Sequence, residues 1–289
     1  MMTARQTLDL GTQRLAAYLG NEKSAQQEAR WLLCHALGTK LPFLLAALEQ
    51  MVNDENSKAY FTFIDERTHQ HKPLAYILGT APFCGLEIKV KAPFLIPRHE
   101  TEELVWNLII NLKDQEGLRI LDIGTGTGAI ALALATHLPS VQIIATDVDS
   151  EALKLARTNQ EALSAYNVTF MHADVFKGLD DQQFDLIISN PPYLTKREWE
   201  RITPDVKDWE SPLALVGGEN GLKVYAQIIA QASKHLTDRL TKTAHPQLVL
   251  EHGSTQAAAI SKLLDEAGFK EHIIWIDSFK HQRATFAKL

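Results

Sequence analysis

Cysteine is scarce in this sequence. Cys34 and Cys84 are the two among 289 residues, and neither has a C-x-x-C partner. That excludes a disulfide framework, and a reduced, cytoplasmic location is expected. Long apolar runs are lacking as well. No stretch approaches the roughly 18 consecutive apolar residues of a membrane-crossing helix. Met1-Met2-Thr3-Ala4-Arg5-Gln6 opens an amphipathic stretch and not an apolar signal core. Basic tracts are missing too: 29 Lys+Arg against 35 Asp+Glu give a net charge of −6. A chain so charged has no global positive field to drive non-specific nucleic-acid binding, although a local basic patch remains compatible with it. Metal-ligand sets are absent from the pattern. The closest histidines of eleven, His69-Gln70-His71, have no acidic or cysteine company and read as a solvated helix end, so no metal is expected.

What is present divides the chain. The first ~75 residues carry apolar positions at helical spacing: Leu8, Leu15, Tyr18 and Leu19, then Ala29, Leu32, Leu33, Ala36 and Leu37, then Phe61, Phe63 and Ile64 before Pro73. Gly20-Asn21 and Gly38-Thr39 punctuate the ends. A small helical bundle over residues 1–80 is predicted. From Ala81 to Pro97 apolar residues alternate, with Gly and Pro at the bends, which predicts a β-hairpin connector. Glu100–Lys113 is helical again.

Strand and helix then alternate through residues 98–289. Strands are predicted at Arg119–Ile123, Val141–Thr146, Val168–His172, Phe184–Ser189 and Gln247–Glu251, with two late ones, His272–Ile276 and Arg283–Ala287, paired at an edge. Helices fall at Gly128–Leu138, Ser150–Leu163, Gly221–Leu236 and Gln256–Ala267. Such alternation implies an α/β fold with a parallel sheet covered by helices on both faces. Its ligand site is expected beyond the carboxyl ends of the strands, at the topological switch point.

The glycine loop Asp122-Ile123-Gly124-Thr125-Gly126-Thr127-Gly128 closes the first of these strands and opens a helix. Glycines let a ligand approach the backbone, and the helix start adds free N–H donors. A phosphate-binding P-loop is excluded because no Lys follows. A dinucleotide site fits, since Gly124, Gly126 and Ala129 match G-x-G-x-x-A and Asp147 ends the next strand about 20 residues on. An S-adenosylmethionine (AdoMet) pocket fits too, because D-x-G-x-G-x-G after a strand is typical of it. In both, the Asp147 carboxylate suits a ribose diol. Asp149 and Ser150 are better placed than Asp147 to cap the following helix.

Asp185-Leu186-Ile187-Ile188-Ser189-Asn190-Pro191-Pro192-Tyr193 decides between them. An apolar strand runs into a turn stiffened by two prolines. Such a turn would present the Asn190 amide and the Pro191 carbonyl to the cleft, with Tyr193 as an aromatic wall, and together grip a planar –NH2 group. A nicotinamide dehydrogenase has no use for this tetrapeptide.

Asn190–Tyr193 with the glycine loop resembles the amino methyltransferases that modify planar nitrogens, both the adenine-N6 nucleic-acid enzymes and the protein-glutamine N5 group. Upstream, Pro73-Leu74-Ala75-Tyr76-Ile77-Leu78-Gly79, Phe83, Gly85-Leu86 and Leu95-Ile96-Pro97-Arg98 with Glu100-Thr101-Glu102 resemble the release-factor glutamine methyltransferases, the HemK/PrmC family. The resemblance covers nearly the whole chain. It implies a Rossmann-like class I AdoMet methyltransferase sheet behind a helical substrate-recognition domain. It also implies methyl transfer from AdoMet, leaving S-adenosyl-L-homocysteine, to the side-chain amide nitrogen of the glutamine in the Gly-Gly-Gln motif of class I peptide chain release factors. The partner implied is a protein, with no direct nucleic acid and no membrane. Gly124, Thr125, Gly126, Thr127 and Gly128 would face the methionine and ribose, Asp147 the ribose hydroxyls, and Asp174 and Val175 the adenine. Asn190, Pro191, Pro192 and Tyr193 would bind the substrate glutamine, with Asn190, Pro191 and Tyr193 carrying the catalysis and Asn190 also bordering the cofactor.

Two positions depart from the family: His99 stands where Pro is usual, and Asp174-Val175 where an aromatic often follows the acidic residue. Asp122 is expected either to bond the loop or to reach the methionine amino group. Arg98 and Glu100 read equally as cleft-shaping or as a local salt bridge. Lys196, Arg197 and Arg201 read first as a solvated helix face, and Glu210–Leu215 as a cleft-flanking stretch with no chemistry. His252 reads as a satisfied strand-end histidine. The tetrapeptide alone does not separate glutamine from adenine, which would be flipped out of its stack. The net charge of −6, the lack of a basic tract and the connector favour protein. A non-catalytic AdoMet-binding module would have no need of Asn190 and Tyr193.

Overall fold

The structure, a computed structural model, describes residues 1–241 and 243–289. It divides into two compact units, Met1–Gly79 with Thr203–Trp209, and Thr80–Ile202 with Glu210–Leu289.

The first unit is helical: α1 (Ala4–Leu19), α2 (Glu22–Leu37), α3 (Leu41–Ala46), α4 (Asp54–His69) and α5 (Leu74–Leu78). Its helix starts are local chemistry. Thr3 and Gln6 form a capping box, and the Asn21 and Asn53 side chains accept from Ser24 N and Asn56 N. Leu8, Leu15, Ala29, Leu32, Leu33 and Ile64 are buried and share one apolar cluster, as their spacing predicts; Tyr60 joins them, while Phe61 and Phe63 are only partly buried against it. Arg67 and Glu28 add a largely buried ion pair at 2.9 Å. His71 sits against Tyr18, its Nδ1 3.1 Å from the phenol oxygen. Thr203–Trp209, which sequence reasoning leaves with the catalytic part, groups with the helices. Trp209 Nε1 donates to the Gln70 carbonyl at 2.9 Å, and Lys72 lies over its ring.

In the second unit, β1 (Thr80–Phe83) and β2 (Leu86–Lys89) form an antiparallel hairpin. Then follow α6 (His99–Leu112), β3 (Arg119–Ile123), α7 (Ala129–His137), β4 (Gln142–Asp147), α8 (Ser150–Leu163), β5 (Val168–His172) and β6 (Leu186–Ser189). Beyond them lie the short α9 (Lys196–Trp199), α10 (Pro204–Lys207, in the first unit) and α11 (Pro212–Leu215). The chain ends with α12 (Lys223–Ala232), β7 (Leu248–Glu251), α13 (Ala257–Glu266), β8 (Glu271–Ile276) and β9 (Gln282–Lys288). The seven-stranded sheet runs β5-β4-β3-β6-β7-β9-β8, parallel except for β9, which is antiparallel to both β7 and β8. This is the mixed α/β sheet that the strand–helix rhythm predicts, with the two late strands at one edge. Leu121, Ile123, Ile187, Leu248 and Leu250 pack with Tyr225 and Ile228 of α12 and with Ile260 and Leu264 of α13.

Element ends differ from expectation where backbone geometry intervenes. Phe184 lies outside β6 and forms an isolated bridge to Leu236. The helix expected from Gly221 starts at Lys223, since Gly221 has φ +71°. It closes in a 3₁₀ turn, Ser233–His235. Among the described residues, no helix is long and apolar enough to cross a membrane.

Candidate active site

Chain order reverses between β3 and β6. From β3 the chain moves to β4 on one side, and later to β6 on the other. The pair runs in register, Ile123 beside Ser189, and the Ser189 hydroxyl donates to the Ile123 carbonyl at 2.7 Å. The next residues are Gly124 and Asn190. The two motifs thus leave adjacent strands side by side, at the switch point where open α/β sheets bind ligands.

Gly124, Gly126 and Gly128 have φ of +75°, +56° and +84°, and their turn lets the loop double back on β4. Gly124 N and Thr125 N both donate to the Thr146 carbonyl. Thr125 Oγ1 donates to Asp122 Oδ2 at 2.6 Å, while Asp122 Oδ1 is buried without a partner. Of the two roles open to Asp122, the loop bond is present. Burial pushes its carboxyl up to about 7, and the nearby Asp147 adds to the rise. Asp147 is half-buried at the end of β4. Its Oδ2 accepts from Gly126 N at 2.8 Å and its Oδ1 from Asp149 N at 2.9 Å. Burial raises this carboxyl above its ordinary value, opposed by those backbone donors. Asp149 is the cap of α8, as its position predicts. Asn159 ties loop to hairpin: its Nδ2 donates to the Thr127 carbonyl, and its Oδ1 accepts from Lys89 N.

Gly124–Thr127, Ile130, Asp147, Asp174 and Val175 line one side of a cavity of about 400 Å³. Buried Gly128, which opens α7, is not on the lining; a Cβ there would press on Leu132, Ala156 and Phe170. Val175 is buried with φ +55°, a conformation rare for a β-branched residue and a mark of local constraint. Phe94, Leu95, Arg98, Thr101, Asn190, Pro192, Ser211 and Leu213 are among the other lining residues. Pro191 is buried and Tyr193 half-buried, and neither is on this lining. The proline turn therefore gives Asn190 and Pro192 to the cavity. Burial, with the Glu251 carboxylate, holds the Tyr193 phenol above its ordinary value.

Distant residues grip this turn. Asn190 Nδ2 donates to Thr101 Oγ1 at 3.2 Å, and Thr101 Oγ1 donates to Glu251 Oε1 at 3.0 Å. Gln256 Nε2 donates to the Tyr193 carbonyl at 3.0 Å. A Cβ on Gly217 would collide with the Pro192 carbonyl, and one on Gly221 with the Tyr193 carbonyl. Sequence reasoning assigns a role to none of these five, although Thr101 is among the residues that carry the family resemblance. The one signal available is their clustering, Glu251-His252-Gly253 with Gln256 and Gly217 with Gly221, at the ends of elements facing the turn.

Arg98 and Glu100 both enter ion pairs, though not with each other. Arg98 Nη2 meets Glu210 Oε2 at 2.6 Å, and Arg283 Nη2 meets Glu100 Oε1 at 3.2 Å. The stretch given no chemistry thus supplies a buried partner to a cavity arginine. Lys196, Arg197 and Arg201 are exposed, and Lys196 pairs with Glu219. His252 is buried and satisfied, with Nδ1 by the Gly253 carbonyl and Nε2 by the Thr285 hydroxyl. His99 opens α6 in an exposed position.

Known proteins match this arrangement. The PrmC N-terminal domain model matches residues 6–79, and the methyltransferase small domain model matches residues 105–205. A release factor glutamine methyltransferase of Geobacter sulfurreducens is 36% identical over 267 residues, 92% of this chain and 90% of the relative. One of Lactococcus lactis is 38% identical over 245 residues, covering 85% and 86%. Among solved structures, the hMettl16 catalytic domain in complex with an RNA hairpin has a TM-score of 0.54 at 17% identity, covering 82% of each chain. A methyltransferase from Pyrococcus furiosus has a TM-score of 0.51 at 21% identity, covering 71% of this chain and 89% of that one. These two establish the fold alone. The extent and identity of the full-length matches establish that the chain belongs to the release factor glutamine methyltransferase family.

Proposed function

We propose that this protein methylates the side-chain amide nitrogen of the glutamine in the Gly-Gly-Gln motif of class I peptide chain release factors, in the cytoplasm, with AdoMet as donor. The observation that carries the reading is Asn190. It stands on the cavity wall beside the glycine loop, with its amide nitrogen turned back to Thr101.

The residues present fit AdoMet. A cavity of about 400 Å³ falls in the usual range for small-molecule sites. A Cβ on Gly124 or Gly126 would meet no protein atom within 4 Å, so the loop leaves open space where these residues line the cavity. Asp147 keeps lone pairs for a ribose diol beyond the two backbone donors it already accepts. Val175 and Ile130 offer apolar surface to the adenine, and Asp174 an acceptor.

AdoMet supplies, when bound, a methyl group on a positively charged sulfur. This chain's part is orientation. An amide nitrogen is a poor nucleophile because its lone pair is delocalised into the carbonyl. Asn190 Oδ1, on the cavity lining, accepts one of its hydrogens and holds the –NH2 in one attitude; the second acceptor assigned by the family resemblance, the Pro191 carbonyl, belongs to a buried residue outside that lining. Positioning of this kind lowers a barrier by up to roughly 7–11 kcal/mol. Tyr193, which lies outside the cavity lining, is not a base: a phenol is protonated at neutral pH, and burial moves this one further from ionising. The amide proton leaves after transfer. The helical unit, whose first 79 residues include the PrmC N-terminal match, holds the protein substrate.

Labelled AdoMet offered with purified release factor and with unmethylated DNA tests the reading. Label is expected in the factor. Label in DNA and none in the factor would overturn the glutamine assignment in favour of adenine.

A further inference from the structure

An asparagine that must accept a hydrogen bond has a problem of its own. Its side chain carries an acceptor oxygen and a donor nitrogen of nearly equal size, and rotation by half a turn exchanges them. Turned the wrong way, Asn190 would present N–H to the N–H of a substrate amide. Something has to hold the orientation before substrate arrives.

The structure provides it in two steps. The Thr101 hydroxyl carries one proton, and it donates that proton to Glu251 Oε1 at 3.0 Å. Its lone pairs are what remains for Asn190, so Asn190 meets it with Nδ2, at 3.2 Å. Asn190 Oδ1 is thereby left for the cavity. We propose that Thr101 and Glu251 are positioning residues that set the polarity of Asn190, so that its oxygen and not its nitrogen meets the substrate –NH2. This role rests on the function proposed above.

Three further features agree. Glu251 ends β7 and Asn190 follows β6; Ser189 pairs with Leu250, so the sheet register itself sets Glu251 level with Asn190. Thr101 sits in the first turn of α6 on its buried face, with Leu104, Val105 and Leu108. Glu251 is buried at 5% exposure, and its second carboxylate oxygen has no hydrogen-bond partner. Burying a carboxylate that is half unsatisfied is costly. The contact that its other oxygen makes with Thr101 gives a reason to retain it there. Tyr225 helps fix its backbone, donating to the Glu251 carbonyl at 2.7 Å.

Thr101→Val keeps the shape of the side chain and removes the hydroxyl; Thr101→Ser keeps the hydroxyl. Each is assayed on purified release factor with labelled AdoMet, alongside AdoMet affinity by calorimetry and thermal unfolding. For Thr101→Val, kcat is expected to fall about 10- to 100-fold, the scale of a misplaced reacting group. KM for the factor and AdoMet affinity should stay near wild type, while Tm should fall by a few degrees because buried Glu251 Oε1 and Asn190 Nδ2 lose their partner. Thr101→Ser should recover most of the lost kcat, and Glu251→Leu should reproduce the loss seen with valine. If the wild type labels the factor and Thr101→Val turns over at an undiminished kcat, the positioning role is wrong. If kcat and AdoMet affinity fall together and serine rescues neither, Thr101 is merely structural and the role is likewise wrong. Wild-type protein that leaves the factor unlabelled would overturn the proposed function itself, and this role with it.

Discussion

The two walls of the cavity are built differently. The glycine-loop wall is assembled from one continuous stretch. Its fixing bonds join Thr125 to Asp122, three residues away, Gly126 to Asp147, 21 away, and Thr127 to Asn159, 32 away, with one longer tie from Asn159 to Lys89 in the hairpin. The Asn190 wall is held from afar: Thr101 lies 89 residues from Asn190, and Gln256 lies 63 from Tyr193. One wall is a shape made by backbone, suited to any ligand that needs close approach. The other is an orientation imposed on a single amide. A binding surface can therefore be made locally, whereas an aligned acceptor needs bracing by residues from other elements.

Asn190→Ala would break the comparison most sharply. It removes the acceptor and leaves the loop wall intact. The expected result is a fall in kcat of about 10²- to 10³-fold, the scale for one preorganised hydrogen-bonding group, with AdoMet affinity near wild type by calorimetry. A parallel loss of affinity would mean that the two walls do not act separately.

Next in size is a stability effect on the braced wall. Burial pushes the Glu251 carboxyl up to about 7, with Glu100 adding to the rise and Arg283 and Arg98 opposing it. The folded state therefore holds this proton, on the unpartnered Oε2 so that Oε1 still accepts from Thr101, over a pH range where the unfolded chain has lost it. Stability from this group is greatest below the ordinary carboxylate pKa and falls as pH rises toward about 7. Glu251→Gln removes the titration. Its unfolding free energy should gain on wild type across that window, by an amount on the order of 3 kcal/mol at the upper end. Asp122 drifts the same way in both proteins and cancels from the difference. Denaturant midpoints from pH 4.5 to 8 check this; parallel curves would show that Glu251 is not a buried, proton-holding group.

The loop wall has its own test. Asp147→Ala deletes a charged acceptor from the cavity, and such a bond contributes about 1.5–3 kcal/mol. AdoMet affinity should fall about 10- to 100-fold. At saturating AdoMet, kcat should hold within a few-fold. The signature is the reverse of that for Asn190→Ala, and affinity unchanged by calorimetry would refute the ribose assignment.

How far the sequence reveals each wall follows from the same contrast. Strand rhythm and glycine spacing place β3, the loop, β4 and Asp147, because every determinant is local. Asn190–Tyr193 is legible as a motif, and the parallel sheet places it next to the loop. Its bracing is not legible. Thr101 reads as part of a family motif at the start of a helix, with no role attached, and Glu251 as the polar end of a buried strand. Only the β6–β7 register and the packing of α6 bring them to Asn190. Gly217 and Gly221 look like loop glycines until the Pro192 and Tyr193 carbonyls are seen against them. Thr203–Trp209 carries no marker that would separate it from its neighbours in sequence, yet it groups with the helical unit through Trp209.

The smallest effect is expected just past the motif, and it bounds the braced wall. Lys196 follows Tyr193 by three residues, so proximity in sequence alone would suggest a share in the site. Its side chain is exposed and pairs with an equally exposed Glu219. That pair is screened by solvent and costs side-chain entropy to hold, so it adds little to the fold. Nor does Lys196 line the cavity or touch Asn190. Lys196→Ala should leave kcat within about twofold and Tm unchanged. A rise in KM for the release factor, with kcat and AdoMet affinity constant, would extend the substrate surface past Tyr193 along α9. A fall in kcat would instead mean that the wall is braced from its own downstream segment, against the long-range bracing by Thr101, Glu251 and Gln256.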